Sequence, residues 1–516
     1  MARTLDFPKL SPDRATRGKV LMLQGTNADV GKSLVVAGLC RAFTNRGLIV
    51  RPFKAQNMSN NAAVTVDSDV PDHAGEIGRA QALQAMACGS SFSVHMNPVL
   101  LKPESDDCSQ VVLRGRVIGQ ISAADYQNIK PQLLPAVLDS LRRLASEADL
   151  VLVEGAGSSA ETYLRPQDIT NMGLAEAADL PVVLMGEDAR GGMLASVVGS
   201  HALWSEADRR RIKAYLVNRF RGDPKVFAPA MHLMSQITGW PCLGLISWFD
   251  AAAQLPQEDS LALDRPRSGR SAKLNIAVPR LPRVANFDDL DPLAAEPEVN
   301  LFWLPSGTPV PADTDVVILP GSKATREDLK TLYTEGWHHD IRAHVRRGGV
   351  VVGLCAGFQM LGNAVHDPDG LEGSPGSTQG LGLLNMETHI DVSKTLRTLD
   401  HLDQHSKARI QGYEMHMGVS KGPALSSPWL NLQTQDTVDA EGACGFDGRV
   451  FGSYVHGLFH NDAFRAHWLD TLGVKASGIA HQQRMENTLD QLAAQLEADL
   501  DLDHLLSLAE KPFGGR

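Results

Sequence analysis

Residues 20–33 read VLMLQGTNADVGKS: a short apolar run, a glycine-containing turn and then Gly31-Lys32-Ser33. A parallel strand that ends in such a turn before a helix aims backbone N–H groups at a bound phosphate. In this arrangement Lys32 reaches the β- and γ-phosphates, and the Ser33 hydroxyl binds the Mg²⁺ that accompanies the nucleotide. The stretch therefore predicts an α/β domain that binds ATP with Mg²⁺. Its predicted nucleotide-binding residues are Gly25, Thr26, Gly31, Lys32 and Ser33.

Other short apolar runs alternate with helix-like segments on both sides of a polar stretch, as buried parallel strands do. In the first half they lie at 20–23, 48–50, 150–153, 182–185 and 214–217. In the second half they lie at 274–278, 316–319, 350–354 and 450–455. We therefore predict two α/β domains, residues 1–250 and 273–516, joined by a linker at 251–272. Leucines at helical spacing from Leu489 to Leu500 predict a helical tail to the second domain.

Composition excludes several classes of protein. The 516 residues are 43% hydrophobic, enough for a large core, which excludes a disordered chain. The net charge of −11 argues against broad binding to nucleic acid or to a membrane surface. Six scattered cysteines form no C-x-x-C pair, there is no apolar leader, and no run is long enough to cross a membrane. We expect a soluble cytoplasmic protein.

A second candidate site lies in the second half, where the apolar run 350–354 leads into Gly353-Leu354-Cys355-Ala356-Gly357. Small residues around a cysteine at a strand-to-helix turn are typical of a thiol nucleophile elbow. His456, at the end of another predicted strand, provides a general base and acid for acyl transfer. The turn Pro320-Gly321-Ser322 offers N–H groups to an oxyanion. A buried structural cysteine is the alternative for Cys355.

The first half resembles the dethiobiotin synthetase family of ATP-dependent carboxylate-activating enzymes, which share the longer spacing of five residues between Gly25 and Gly31. The resemblance implies that Lys54 is a second phosphate-contacting lysine and Glu154 a Mg²⁺ ligand. Asn218 corresponds to the residue that reads adenine. Glu76 matches another acidic metal position, although a carboxylate favouring a helix N-terminus explains it equally well.

The second half resembles the class I, or triad, glutamine amidotransferases, whose domain is flavodoxin-like and which hydrolyse glutamine through a cysteine thioester and release ammonia. By that match Cys355 is the nucleophile and His456 its base. The family usually has an acid two positions after the histidine, and Leu458 occupies that position here. The sequence leaves the third member of the site unidentified.

Over nearly its whole length the chain resembles the glutamine-hydrolysing amidotransferases of cobalamin biosynthesis. The resemblance is carried by residues 54–59, 96–103, 218–223, 255–260, 412–418 and 452–459. It implies amidation of the b, d, e and g carboxylates of adenosylcobyrinic acid a,c-diamide, with ATP, glutamine and a corrinoid polycarboxylate as substrates. Two alternatives stay open: the related enzyme that amidates the a and c carboxylates, and a P-loop switch ATPase with an inactive glutaminase-like module.

Overall fold

A computed structural model of the chain describes residues 16–66, 74–105, 107–258, 263, 272–434 and 437–514. Its first half is built on a six-stranded sheet in which all strands run parallel, here called the amino-terminal sheet. In spatial order its strands are Cys242–Ser247, Ile212–Phe220, Val182–Glu187, Lys19–Gly25, Leu150–Glu154 and Val50–Phe53.

Most of these strands lie where the apolar runs predict them, because strands covered on both faces need uninterrupted apolar residues. The strand Lys19–Gly25 is buried at every position after the first. The strand predicted at 48–50 begins two residues later than expected and spans Val50–Phe53. Ile49, which the prediction included, is 43% exposed and precedes the strand.

A smaller accessory sheet, which the sequence reading did not predict, follows the second strand. Its strands in spatial order are Gln56–Met58, Val99–Pro103, Cys108–Leu113 and Arg116–Ser122. A hairpin of Ala62–Val66 and Ala74–Gly78 lies within the same part of the chain. The accessory sheet contacts the second half, because Leu100 and Val112 on it pack in one apolar cluster with Met415.

The second half also contains two large sheets. The carboxyl-terminal sheet is parallel except for its last strand, in the order Val299–Leu304, Leu274–Pro279, Val316–Leu319, Val350–Leu354, Val450–Ser453 and Ala443–Gly445. The ribbon sheet has the path Gly376–Gln379, Ala364–Asp367, Glu387–Asp403, Arg409–Lys421 and Val455–His456, with Leu430–Gln433 and Val438–Glu441 attached. The predicted strand 450–455 is thus divided between these two sheets. Two short strands, Val284–Ala285 and Gly321–Ser322, form a separate antiparallel pair.

Helices cover the sheets in both halves. In the first half they are Lys32–Asn45, Arg79–Ala87, Ala123–Glu147, Met172–Ala178, Met193–Leu203, Glu206–Arg211 and Pro224–Thr238. In the second half they are Asp291–Ala294, Thr325–Thr334, Trp337–Arg346, Ala356–Leu361, Asp462–Thr471, His481–Asp499 and Leu502–Ser507. No helix in the described ranges combines the length and the apolar character that a membrane crossing requires.

The helical tail is predicted to belong to the second domain, but it packs against the first half of the chain. Leu489, Leu492 and Leu496 on His481–Asp499 are buried in one apolar cluster with the helix Lys32–Asn45, which follows the phosphate loop. Gly38 on that helix has no room for a side chain, because an added Cβ would lie 2.5 Å from Leu496 Cδ1. The carboxyl terminus of the chain therefore completes the core of the first half.

We expect Leu496→Ala to destabilise the first half by about 2–5 kcal/mol, because it leaves a cavity against Gly38. Gln491→Ala, on the exposed side of the same helix, is the matched control and should change stability by less than about 0.5 kcal/mol. Denaturant unfolding monitored by circular dichroism measures both. Equal stability of the two variants would contradict the packing.

Part of the predicted linker has a defined position. Residues 250–254 form a short 3₁₀ turn, Leu255 is buried in the core of the first half, and Glu258 enters the phosphate site. Residues 259–262 and 264–271, which include the basic positions Arg265, Arg267 and Arg270, lie outside the described residues.

Candidate active sites

The phosphate loop connects the strand Lys19–Gly25 to the helix Lys32–Asn45. Gly31 has φ +83°, and a Cβ there would lie 2.6 Å from Asn218 Nδ2. At Gly25 a Cβ would lie 2.8 Å from Lys32 Nζ. Glycine is therefore favoured at position 31 by its backbone conformation, and at position 25 by the backbone, because a Cβ there would also lie 2.7 Å from the carbonyl oxygen of Asn27. The buried Thr26 hydroxyl has no hydrogen-bond partner within the described part of the chain, which suits a phosphate contact.

Lys32 lies folded back over the loop. Its ammonium group donates to the carbonyl oxygens of Asn27 at 3.0 Å, Ala28 at 3.2 Å and Gly157 at 3.0 Å. Burial lowers the pKa of Lys32 to about 8, although the charge of Glu154 opposes the shift. The group therefore remains largely cationic at neutral pH and is held ready for a phosphate.

Side-chain oxygen atoms of Ser33, Glu154 and Glu258 lie close together beside the loop. Ser33 Oγ donates to Glu154 at 2.7 Å and lies 3.1 Å from a carboxylate oxygen of Glu258, and Lys54 Nζ lies 2.9 Å from the same Glu154 oxygen. Burial alone would raise the pKa of Glu154, but Lys54 and the hydrogen bonds from Ser33 and Gln84 lower it, so the carboxylate is ionised. Hydroxyl and carboxylate oxygens are the ligands that Mg²⁺ prefers, so these residues fit the ion. Sequence reasoning missed Glu258, which lies in the predicted linker.

The structure does not bring Glu76 to this place. Its carboxylate is fully buried between the ammonium groups of Lys102, at 2.7 Å, and Lys394. Burial opposes ionisation, yet the two lysines lower the pKa of Glu76 to about 2. Glu76 therefore lies apart from Ser33 and Glu154 and is paired with two ammonium groups, so nothing in the structure supports its predicted role as a metal ligand, which stays a prediction.

Asn218 lies at the end of the strand Ile212–Phe220, as expected, and is buried. Its Nδ2 donates to the carbonyl oxygen of Val30 at 2.7 Å, which fixes the phosphate loop from behind. Asn218 also lines a cavity of about 580 Å³ together with Arg219, Trp248 and Phe249. Asn218 therefore connects the phosphate loop to the wall of this cavity, and a role in binding adenine stays a prediction.

The phosphate loop separates that cavity from another of about 520 Å³, which is lined by residues of the accessory sheet and by Tyr126, Lys130 and Arg165. Five residues line both cavities: Ala28, Asp29, Lys32, Ser33 and Glu258. A nucleotide in one cavity and a second substrate in the other would therefore meet at Lys32 and Ser33.

We expect Glu154→Gln to raise the Michaelis constant for MgATP at least about tenfold, because an amide neither balances Lys54 nor binds Mg²⁺ well. The measurement is steady-state ATP hydrolysis over a range of Mg²⁺ concentrations. Glu206→Gln, with its side chain 81% exposed, is the control and should match the unmodified protein. An unaltered Mg²⁺ dependence in Glu154→Gln would exclude this carboxylate as a ligand.

The candidate nucleophile lies at a sharp turn between the strand Val350–Leu354 and the helix Ala356–Leu361. Cys355 has φ +52°, a strained conformation for a residue with a side chain. The neighbouring glycines make the turn possible. A Cβ at Gly353 would lie 2.5 Å from the Gly357 carbonyl oxygen, and one at Gly357 would lie 2.1 Å from that of Leu319. The packing is therefore that of a nucleophile elbow.

Cys355 and His456 line one small cavity of about 50 Å³, together with Gly321 of the proposed oxyanion turn. His456 Nδ1 lies 2.6 Å from Asp289 Oδ2, and the other Asp289 oxygen accepts from the Gly457 N–H at 2.7 Å. Burial by itself would lower the pKa of His456, but the charges of Asp289 and Cys355 raise it to about 10. The three residues form a Cys-His-Asp arrangement in which the imidazole is cationic at neutral pH.

Asp289 is the third member that the sequence left unidentified. It belongs to the 3₁₀ turn Phe287–Leu290, which follows the first strand of the carboxyl-terminal sheet, rather than to the segment after His456. Leu458, in the position where an acid is usual, is buried in the apolar core. The pair Asp288-Asp289 in the sequence is a weak signal, because nothing local connects it to a histidine 167 positions away.

Residues of the two halves meet at this site. Asn286 Nδ2 lies 3.3 Å from His456 Nε2, and the Asn286 N–H donates to Asn61 Oδ1 at 2.7 Å. Asn61 in turn donates to the Glu258 carbonyl oxygen at 3.0 Å. Asn286, which lies beside the imidazole, is thus connected through Asn61 to the backbone of Glu258, a residue whose carboxylate lies in the phosphate site.

A second set of contacts crosses the same boundary. Arg79 from the first half lies 3.2 Å from Asp288 and also donates to the hydroxyl of Tyr413. The Tyr413 ring stacks on His456, with ring centroids 5.2 Å apart and planes inclined by 20°. The first half therefore contributes to holding the imidazole in place.

A phosphate loop joined to a Cys-His-Asp site defines a nucleotide-binding domain fused to a triad glutaminase. Comparison with known families agrees. The sequence model for the CobQ/CobB/MinD/ParA nucleotide binding domain matches residues 21–262, and that for the CobB/CobQ-like glutamine amidotransferase domain matches residues 275–464. The predicted fold class, a P-loop domain followed by a class I amidotransferase domain, is confirmed.

Relatives that match over almost their whole length indicate a particular enzyme family. Cobyric acid synthases from Mesorhizobium japonicum and Azorhizobium caulinodans are 51% and 54% identical to the chain over 492 residues, which is 95% of this chain and 99% of each relative. The cobyric acid synthase of Paracoccus denitrificans is 53% identical over 489 residues, with the same coverage. The chain belongs to the cobyric acid synthase family of glutamine-hydrolysing, ATP-dependent amide ligases.

Proposed function

We propose that the protein converts adenosylcobyrinic acid a,c-diamide to adenosylcobyric acid by amidating its b, d, e and g carboxylates with ATP and glutamine, in the cytoplasm. Family membership supports the amidation of a cobalamin precursor. The observation that carries the proposal is the position of the phosphate loop between two cavities, in a chain that also holds a glutaminase site at the boundary of its halves.

The first half activates the carboxylate. A carboxylate oxygen of the acceptor, bound in the 520 Å³ cavity, attacks the γ-phosphorus of ATP, and ADP leaves from the side of Asn218. Lys32 and Lys54 stabilise the charge on the transferred phosphoryl group. Mg²⁺, held by Ser33, Glu154 and Glu258, would neutralise phosphate charge. Lys130, which also lines this cavity, supplies a cationic group for a polycarboxylate.

The second half supplies ammonia. Cys355 Sγ attacks the amide carbon of glutamine, and the His456 imidazolium donates its proton to the departing nitrogen. Asp289 holds the imidazole by its other nitrogen throughout. Water then hydrolyses the thioester, so that one glutamine and one water yield glutamate and one ammonia.

Ammonia joins the two reactions. It attacks the acyl phosphate carbon, inorganic phosphate leaves, and the amide remains on the acceptor. Only neutral ammonia is nucleophilic, so a route sheltered from water is required. Segment 57–61 extends between the two sites: Asn57 lines the acceptor cavity, Asn60 lines the glutaminase cavity, and Ser59 and Asn61 are buried. We assign the route to this segment.

Mass spectrometry of the corrinoid products tests the proposal. With ATP, Mg²⁺ and glutamine, we expect amides to be added to adenosylcobyrinic acid a,c-diamide until the b, d, e and g positions are filled, as located by fragmentation. Amidation of cobyrinic acid at a and c alone would instead assign the chain to the related diamide synthase. ATP hydrolysis without any amide would favour a switch ATPase.

A further inference from the structure

Three lysine side chains line the small cavity that contains Cys355 and His456. We call Lys102, Lys323 and Lys394 the lysine cluster. Lys102 and Lys323 are at most 9% exposed, and the side chain of Lys394 is 13% exposed. Three ammonium groups in a cavity of about 50 Å³ represent an unusual concentration of buried positive charge.

The carboxylates around the cluster balance it only in part. Glu76 accepts from Lys102 at 2.7 Å and from Lys394, and Glu104 accepts from Lys323 at 2.6 Å. One further carboxylate, Glu372, lines the cavity, and burial raises its pKa above the usual range. Burial also lowers the pKa of Lys394 to about 7, even though Glu76 lies beside it. Both groups are therefore poorly stabilised in their charged forms.

The cluster lies within reach of the nucleophile. The carbonyl oxygen of Met415 is 3.6 Å from Cys355 Sγ, and its Sδ is 3.5 Å from Lys102 Nζ. Lys394 lies on the neighbouring strand, paired with Met417. A single residue, Met415, therefore contacts both the thiol and Lys102, and all three line the same small cavity as Lys394.

We propose that Lys394 and Lys102 bind the α-carboxylate of glutamine, so that the glutamine site is completed across the boundary between the two halves. The α-carboxylate is the only full negative charge that glutamine brings. Glu372 is the carboxylate that remains in this cavity for the α-ammonium group. The inference rests on the proposed function, since it identifies how the ammonia donor of that reaction is recognised.

Lys102 lies on a strand that borders both the proposed glutamine site and the proposed acceptor cavity. Lys102 and Leu101 are adjacent on the strand Val99–Pro103, and their side chains point to opposite faces. Leu101 lines the 520 Å³ cavity, whereas Lys102 lines the glutaminase cavity. An acceptor that displaces this strand would therefore change the glutamine site as well.

The test compares ammonia donors that differ in one charged group, with glutamate or its analogue measured as the product. 4-Aminobutanamide is glutamine without the α-carboxylate, and glutaramate is glutamine without the α-amine. With the unmodified protein we expect kcat/KM for 4-aminobutanamide to be about 10- to 100-fold below that for glutamine, the value of a hydrogen bond to a charged group. If the two donors are used equally well, the proposal is overturned without any variant.

The second part of the test uses the variant Lys394→Met. Lys102 still neutralises Glu76 in this variant. We expect KM for glutamine and glutaramate to rise about 10- to 100-fold, while kcat/KM for 4-aminobutanamide stays near its original value. Lys394→Arg should restore discrimination. Lys330→Met, on the exposed face of the helix Thr325–Thr334, is the matched control. An equal loss with all donors, or no loss, overturns the assignment.

Amidation with ammonium salts distinguishes a failure of the proposed function from a failure of the proposed glutamine subsite. If the unmodified protein makes no corrinoid amide from ammonium salts and ATP, the proposed function fails. The donor comparison still decides the glutamine subsite in that case, because glutamine hydrolysis is measured without the acceptor product.

Discussion

Replacing Cys355 by serine is expected to lower glutamine-dependent amidation by about 10⁴-fold or more, since loss of the nucleophile removes the thioester step. Amidation with ammonium salts should persist, because ammonia enters after that step and the phosphate site is untouched. The strained turn with φ +52° and the cavity shared with His456 support the prediction that this thiol is the nucleophile. Corrinoid amides measured with each nitrogen source give the comparison.

Cys444→Ser is the matched control, because Cys444 is a partly exposed thiol in the same half, on the strand Ala443–Gly445. It should retain both activities. Equal loss of the ammonia-dependent and glutamine-dependent reactions in Cys355→Ser would show that the cysteine has a structural role. An unaffected glutamine reaction would identify a different nucleophile.

Asp289→Asn is expected to lower the glutaminase rate by about 10⁴-fold, comparable to the loss of the orienting acid in other triads. The asparagine preserves the shape of the site, but it no longer stabilises the imidazolium or fixes the tautomer through Nδ1. As a positioning residue, Asp289 should affect kcat far more than KM for glutamine. Initial rates of glutamate release measure both constants.

The pH profile gives a readout that a merely structural role would not change. Asp289 raises the pKa of His456 towards about 10, so the imidazolium form is present below that pH and is lost above it. Removing the carboxylate charge lowers this pKa, and the alkaline limb of the rate profile should move to lower pH. Asp447→Asn, with a side chain 99% exposed, is the control. An unshifted alkaline limb in Asp289→Asn would contradict the assignment.

Local features of the sequence were sufficient for much of the first site. The phosphate loop, its lysine and its serine are adjacent along the chain, and a glycine turn between a strand and a helix has few conformations available. Lys54 follows the strand Val50–Phe53 and Glu154 ends the adjacent strand Leu150–Glu154, so the parallel sheet places the two residues close together. Asn218 lies in the strand Ile212–Phe220, which two other strands separate from Leu150–Glu154. Glu76 follows no such strand, and its partners are lysines from two other sheets.

The elements that sequence reasoning did not find are those whose pairing is not local. The accessory sheet and the ribbon sheet contain antiparallel strands with mixed polar and apolar residues, in which no continuous apolar run marks the strand. The tail leucines predicted a helix but could not show which core that helix covers. An amphipathic helix carries the same pattern whichever surface it meets.

The sequence by itself determined the two chemistries of this protein, because a phosphate loop and a nucleophile elbow are set by short-range backbone geometry. Only the tertiary structure decided their partners. Asp289 reaches His456 across 167 positions, and Glu258 reaches Ser33 across 225. A carboxylate can serve any cation or hydroxyl that packing brings within hydrogen-bond distance. The folding of distant segments against one another therefore selected the acid of each site.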